Sequence, residues 1–209
     1  MHQVRIHGRG GQGVVTAAEM LARAGFLAGH EAQAIPSFGS ERTGAPVVAY
    51  CRFDERPIRT REPVLAPDVV LVQDPTLLVS EDPFVGLAPG GTVIVATEHD
   101  GPQVHAQAGP AADGARVVTV PALRFAMEAL GKPKPSAAML GAYAAATGEI
   151  TLDAVQQVFR RRYPGPVGEQ NAAAAAQAYA FVAEQVAAGG SGDTSAAAAP
   201  AEQEAVSRA

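Results

Sequence analysis

Val4-Arg5-Ile6-His7-Gly8-Arg9-Gly10-Gly11-Gln12-Gly13-Val14-Val15-Thr16-Ala17-Ala18 decides the fold. A short β-branched run, Val4–His7, meets a glycine-rich turn, and the turn opens directly into a helix. From Val14 the apolar positions Val14, Ala18, Leu21, Ala22 and Gly25 fall on one face at helical spacing. Glu19 and Arg23 stand four apart on the flank, in the order that favours an ion pair. Gly8, Gly10 and Gly13 satisfy G-x-G-x-x-G. Such glycines let the backbone turn tightly and approach a ligand with no Cβ in the way. The free amides at the start of the following helix then favour an anion, and Arg9 adds a charged donor. The same turn also serves as a plain strand-to-helix connection with no ligand.

Working outward, further strands are expected at Val47–Phe53, Asp68–Asp74, Thr92–Ala96 and Arg116–Val120. Val69–Val72 and Val93–Val95 are continuously apolar, as strands covered on both faces are. Asp54-Glu55-Arg56-Pro57 followed by Ile58-Arg59 suggests a hairpin after Val47–Phe53, so the sheet should be mixed. Helices are expected at Val14–Ala28, Ala122–Leu130, Ala137–Ala146, Leu152–Arg162 and Glu169–Val186. This alternation predicts an α/β class, a three-layer α/β/α fold with a mostly parallel mixed sheet, Rossmann-like. The domain should span residues 1–186. Residues 187–209, rich in Ala, Gly and Ser, read as a flexible tail that cannot bury enough surface to order itself, or as an arm ordered only by a partner.

Composition excludes several functions. The 209 residues are 47% apolar and carry 16 basic against 21 acidic side chains, a net charge of −5, which argues against a nucleic-acid backbone binder. A single cysteine, Cys51, cannot build a disulfide framework, an iron–sulfur cluster or a cysteine zinc site. The five histidines show no metal-ligand spacing, and no Gly-x-Ser-x-Gly elbow occurs. No stretch is long and apolar enough to span a membrane, and the start has no secretory h-region, so a cytoplasmic home is expected. A nicotinamide site needs an acidic residue at the end of the second strand. Glu31 has the spacing but precedes Ala32–Ile35, which puts it at that strand's start. Arg160-Arg161-Arg162 complements a helix end or meets a partner. Cys51 reads as a packed residue, and Tyr143, Tyr179 and Phe181 as core or interface residues.

A second dense segment is Pro36-Ser37-Phe38-Gly39-Ser40-Glu41-Arg42-Thr43-Gly44-Ala45-Pro46. Ser40, Glu41, Arg42 and Thr43 offer hydroxyls, a carboxylate and a guanidinium at the mouth of the sheet, as substrate or partner contacts. Together, His7–Gly13 with Thr16-Ala17-Ala18, and Pro36–Val47 with Arg52 and Pro57-Ile58-Arg59, resemble the gamma subunit of 2-oxoacid:acceptor oxidoreductases, the pyruvate:ferredoxin oxidoreductase relatives. Pro67–Asp74, Gly90–Ile94, Met139–Ala142 and Thr147-Gly148 also match, so the resemblance covers about residues 3–183. The chain departs from it at Val120-Pro121-Ala122-Leu123, where members carry Asp-Ala-Thr, and at Ser136, where they carry asparagine. These departures point to a divergent subclass, for example one acting on aryl 2-oxoacids.

The resemblance implies a reaction in which a 2-oxoacid, coenzyme A and an oxidised acceptor give acyl-coenzyme A, carbon dioxide and reduced acceptor. It implies alpha, beta and delta-type partners that hold thiamine diphosphate and iron–sulfur clusters, with ferredoxin or an NAD-linked subunit as acceptor. This chain would then help bind coenzyme A through Gly8, Arg9, Gly10, Gly11, Gln12 and Gly13, close over the active centre, and be inactive alone. A stand-alone nicotinamide enzyme and a purely structural subunit are the alternatives.

Overall fold

The computed structural model describes residues 1–36 and 43–189. Six strands form one sheet: β1 (His2–Arg9), β2 (Glu31–Pro36), β3 (Pro46–Asp54), β4 (Val69–Val72), β5 (Thr92–Ala96) and β6 (Arg116–Val120). Their order is β2-β3-β1-β4-β5-β6. β1, β4, β5 and β6 run parallel, and β3 is antiparallel to both its neighbours, β1 and β2. The sheet is therefore mixed, but not through the expected hairpin. Ile58 and Arg59 form no strand. Both edges of β3 are already occupied, and Pro57 lacks the amide a ladder needs.

The continuous apolar runs divide between two cores. Val69 and Leu71 face one, and Val70 and Val72 face the other. The period of two thus buries every residue of β4, as it does in β5. The larger core is covered by α1 (Val14–Leu27), α4 (Ala122–Leu130), α5 (Ser136–Thr147), α6 (Leu152–Arg162) and α7 (Pro166–Gly189). α5 is apolar on nearly every side because it lies beneath α7. Their backbones approach so closely that a Cβ on Gly141 would stand 2.0 Å from the Ala175 carbonyl oxygen. The smaller core is covered by α2 (Leu77–Ser80) and α3 (Gly101–Ala108).

The predicted stripe of α1 is buried, while Glu19 and Arg23 stay exposed and no ion pair joins the two. Cys51 and Tyr143 are core residues, and burial pushes both their acidic protons well above the ordinary range. α3 was not anticipated. Its start is a capping box, with Asp100 accepting from the Gln103 amide and the Gln103 side chain accepting in return from the Asp100 amide. α7 runs to Gly189, past the boundary at 186 that composition suggested. Among the described residues no helix is long and apolar enough to cross a membrane.

Candidate functional site

The chain leaves β1 by α1 on one face of the sheet and heads for the β2 edge. It leaves β4 by α2 on the other face and heads for β6. Connections that part in this way open a crevice beyond the carboxyl ends of the two strands, where ligands of open α/β sheets bind. Here the crevice is a cleft of about 340 Å³, bounded by Arg9, Gly10, Gly11, Gly13, the first turn of α1, Thr43 and Lys134.

The glycines do different work. Gly8, still within β1, needs its missing side chain because a Cβ would meet Val14 Cγ2 at 2.5 Å. That absence lets α1 begin directly over the strand. Gly11 and Gly13 hold φ of 95° and 84°, the left-handed region that other residues resist. Among the described residues, a Cβ on Gly11 would meet nothing nearer than Thr43 Cγ2 at 4.0 Å, so the left-handed φ is what calls for glycine there. Gly13 is the N-cap of α1, and no side chain caps that helix or places an acid in its first turn. Its leading amides and the positive end of its dipole are left facing the cleft.

The loop is tied on three sides. Gly10 donates to Ala45 O (2.8 Å) and Gly44 donates to Gly10 O (3.1 Å), joining it to the segment that enters β3. Ser136 Oγ, at the start of α5, lies 3.2 Å from Gln12 O and 3.1 Å from Gly13 O. This buried serine thus supports the loop. Lys134 Nζ donates to Gly11 O and stands exposed at the cleft.

Arg9 is turned to the wall. Its guanidinium donates to Thr76 Oγ1 (2.7 and 3.2 Å) and Gly44 O (3.1 Å), and pairs with Asp74 (3.4 Å). Burial works to raise the Asp74 carboxyl, but hydrogen bonds from Thr76 and Gln12, with the Arg9 charge, outweigh it and hold the group below the ordinary carboxylate value. Beneath the loop, burial, with Arg5 adding to it, lowers the His7 imidazole to about 4, so it is neutral at neutral pH.

Of the second segment, Thr43 lines the cleft, while Ser40, Glu41 and Arg42 lie outside the described residues. Sequence reasoning gave no site role to Lys134, Asp74 or Thr76. The available signals were Lys132-Pro133-Lys134-Pro135 ahead of a helix and Asp74-Pro75-Thr76 closing a strand. Glu31 begins β2, and β3 separates β2 from β1, so the ribose-gripping corner of a nicotinamide site is not built. Arg160 pairs with Glu169 at 2.9 Å, and Arg162 lies over the Tyr163 ring.

An α/β sheet with left-handed glycines, an uncapped helix N-terminus and a lysine at its switch point brings together donors that favour an anion. The model for pyruvate ferredoxin/flavodoxin oxidoreductase matches residues 3–181. The chain is 45% identical over 179 residues to the pyruvate/ketoisovalerate oxidoreductases common subunit gamma of Thermococcus kodakarensis, covering 86% of this chain and 96% of that one. It is 44% identical to the pyruvate synthase subunit PorC of Methanothermobacter thermautotrophicus, covering 86% and 94%. The crystal structure of the pyruvate oxidoreductase subunit PORC from Thermotoga maritima superposes with a TM-score of 0.75 at 34% identity, over 86% of this chain and 95% of that one. A 2-oxoglutarate:ferredoxin oxidoreductase from Magnetococcus marinus, with 2-oxoglutarate, coenzyme A and succinyl-CoA bound, shares the fold at a TM-score of 0.69 and 17% identity, over 88% of this chain and 31% of that one. The chain belongs to the pyruvate ferredoxin/flavodoxin oxidoreductase family, as its gamma-type subunit.

Proposed function

We propose that this chain supplies the phosphate-binding wall of the coenzyme A site in a multi-subunit 2-oxoacid:acceptor oxidoreductase. The observation that carries the proposal is the cleft at the carboxyl end of β1. There the uncapped start of α1, the left-handed Gly11 and Gly13, and Lys134 converge. Backbone amides and a flexible ammonium suit a phosphate group, which needs several donors and no fixed planar fork. A second cavity of about 230 Å³ shares Gly13, Thr16 and Lys134 with the first and adds Lys132, Leu130 and Tyr163. Its apolar wall gives a place for the less polar parts of the same ligand.

The rest of the reaction belongs to partner chains. Cys51 is fully buried and alone, so this chain does not ligate a cluster. Iron–sulfur clusters and thiamine diphosphate fit alpha, beta and delta-type subunits, with ferredoxin or an NAD-linked subunit taking the electrons. Thiamine diphosphate supplies the carbanion chemistry of 2-oxoacid decarboxylation. This chain's residues bind and orient the acyl acceptor, and the segment that includes Ser40, Glu41 and Arg42 serves as a contact to the partner or substrate. A cytoplasmic location suits such a complex.

The test is steady-state kinetics on the assembled complex with Lys134→Ala and Gly13→Ala. Each should raise the apparent KM for coenzyme A at least about tenfold, Lys134→Ala by removing roughly one charge-assisted contact and Gly13→Ala by straining the left-handed turn that aims the helix amides. Decarboxylation of the 2-oxoacid before acyl transfer should change much less. If coenzyme A dependence stays at the parent value in complexes of normal composition, the chain is a structural subunit and the proposal fails. The purified chain alone should show no 2-oxoacid-dependent dye reduction.

A further inference from the structure

We infer that Asp74 is the positioning residue of the glycine loop, holding it in its ligand-ready shape without touching the ligand. This rests on the coenzyme A reading above for its functional consequence, but the clamp itself stands on geometry. Asp74 leaves the end of β4, the parallel neighbour of β1, so its side chain starts beside the loop it would steady. One carboxylate serves both walls of the crevice. Oδ1 accepts from the Thr76 amide at 3.0 Å and from Thr76 Oγ1 at 2.5 Å. Oδ2 accepts from Gln12 Nε2 at 2.8 Å and lies 3.4 Å from Arg9 Nε.

The relay through Gln12 makes this specific. Gln12 sits between the two left-handed glycines, Gly11 and Gly13. Its Oε1 accepts from the Arg9 amide at 2.7 Å while its Nε2 faces Asp74. A carboxylate accepts only, and an amide N–H donates only, so the side-chain amide has one permitted orientation. Flipping it would oppose oxygen to oxygen and donor to donor. The carboxylate thus fixes Gln12, and Gln12 fixes the turn from Arg9 onward. Thr76 and Asp74 together also hold the Arg9 guanidinium against the β4 side. That leaves the helix amides and Lys134 to face the cleft. Arg9, read from sequence as an anion contact, is braced by these bonds while it still borders the cleft.

Two measurements on the assembled complex test this. The first is amide hydrogen exchange of the segment 9–16 without coenzyme A, in the parent, Asp74→Asn and Gln12→Met complexes. Asparagine keeps the shape but sets a second NH2 against Gln12 or gives up Thr76. Methionine keeps the length and removes the relay. Each variant should exchange this segment at least about tenfold faster, with the remaining peptides unchanged. The second is the coenzyme A KM, which should rise about tenfold in each single variant, with most of the effect in KM and the smaller part in kcat. The double variant should be no worse than the poorer single one, because both break one relay. Unchanged exchange in Asp74→Asn overturns the inference. So do effects of the two substitutions that multiply, or faster exchange with an unaltered KM in a complex where Lys134→Ala does raise it. If exchange rises as expected but no substitution at Gly13, Lys134 or Asp74 moves the KM, the clamp is upheld and the coenzyme A reading fails instead.

Discussion

Gly8→Ala tests how the loop is built, because the structure assigns that glycine a purely steric reason. Gly8 has no left-handed φ, so alanine brings no backbone strain there. The added Cβ would stand 2.5 Å from Val14 Cγ2, 3.1 Å from Gln12 Oε1 and 3.2 Å from Gln73 Cβ. Carbon pairs settle at roughly 3.5–4.0 Å, so the first contact is short by about 1 Å. Val14 is 3% exposed and opens α1, where a β-branched side chain has essentially one χ1 rotamer and cannot swing away. Overpacking of this kind costs about 1–3 kcal/mol, and the geometry points to the upper half. Val14→Ala alone removes two methyl groups, about 1.6 kcal/mol of burial plus a cavity term. If the Val14 contact is the cause, the double variant should cost about 1–2 kcal/mol less than the sum of the singles. Recovery should be incomplete, since the Gln12 and Gln73 contacts remain. Urea unfolding of the purified chain followed by far-UV circular dichroism gives all four values at a common m. Costs that add to within about 0.5 kcal/mol, or a Gly8→Ala cost below that, would refute the steric account.

Gly11→Ala should cost about 1–2 kcal/mol through its left-handed φ alone, and Gly11→Asn clearly less, because asparagine tolerates that region; equal costs in urea unfolding would count against strain as the cause. His7 binds its proton more weakly in the folded chain, about 4 against 6.5. The unfolded chain therefore takes up the proton first as pH falls, and stability present above about 6.5 should decline toward pH 4, by on the order of 3 kcal/mol. His7→Gln should flatten the urea midpoint across that window, and an unchanged pH slope would show that other groups set it.

The parts of the fold that were readable from sequence are those whose cause is local. β5, β6, α4 and α6 occur where periodicity and β-branching put them, and β1 and α1 meet at the glycine turn as expected. The misread hairpin has a non-local cause. Ile58 and Arg59 look like a returning strand, but the two edges of β3 are filled by β1 and by β2, one of them more than 40 residues away in the register His2↔Phe53. α3 carried a local signal, Asp100 and Gln103 at capping-box spacing, which the Gly101-Pro102 pair obscured. At the site, the turn Gly8–Gly13 and the helix that follows it were legible because glycine spacing is a backbone property. The contacts of Arg9 were not, since its partners Asp74 and Thr76 are 65 or more residues distant in sequence. Lys134 reaches the loop from across 123 residues, where the start of α5 is tied to it through Ser136.

Hydrogen exchange of the assembled complex with and without coenzyme A tests the central claim most directly. Binding at the glycine loop should slow exchange of the amides at the start of α1, within residues 13–17, and of the neighbouring Gly10–Gln12 turn. The 2-oxoacid alone should leave them unchanged. Saturating coenzyme A that protects partner chains, while every peptide spanning residues 8–17 of this subunit exchanges as before, would contradict the account.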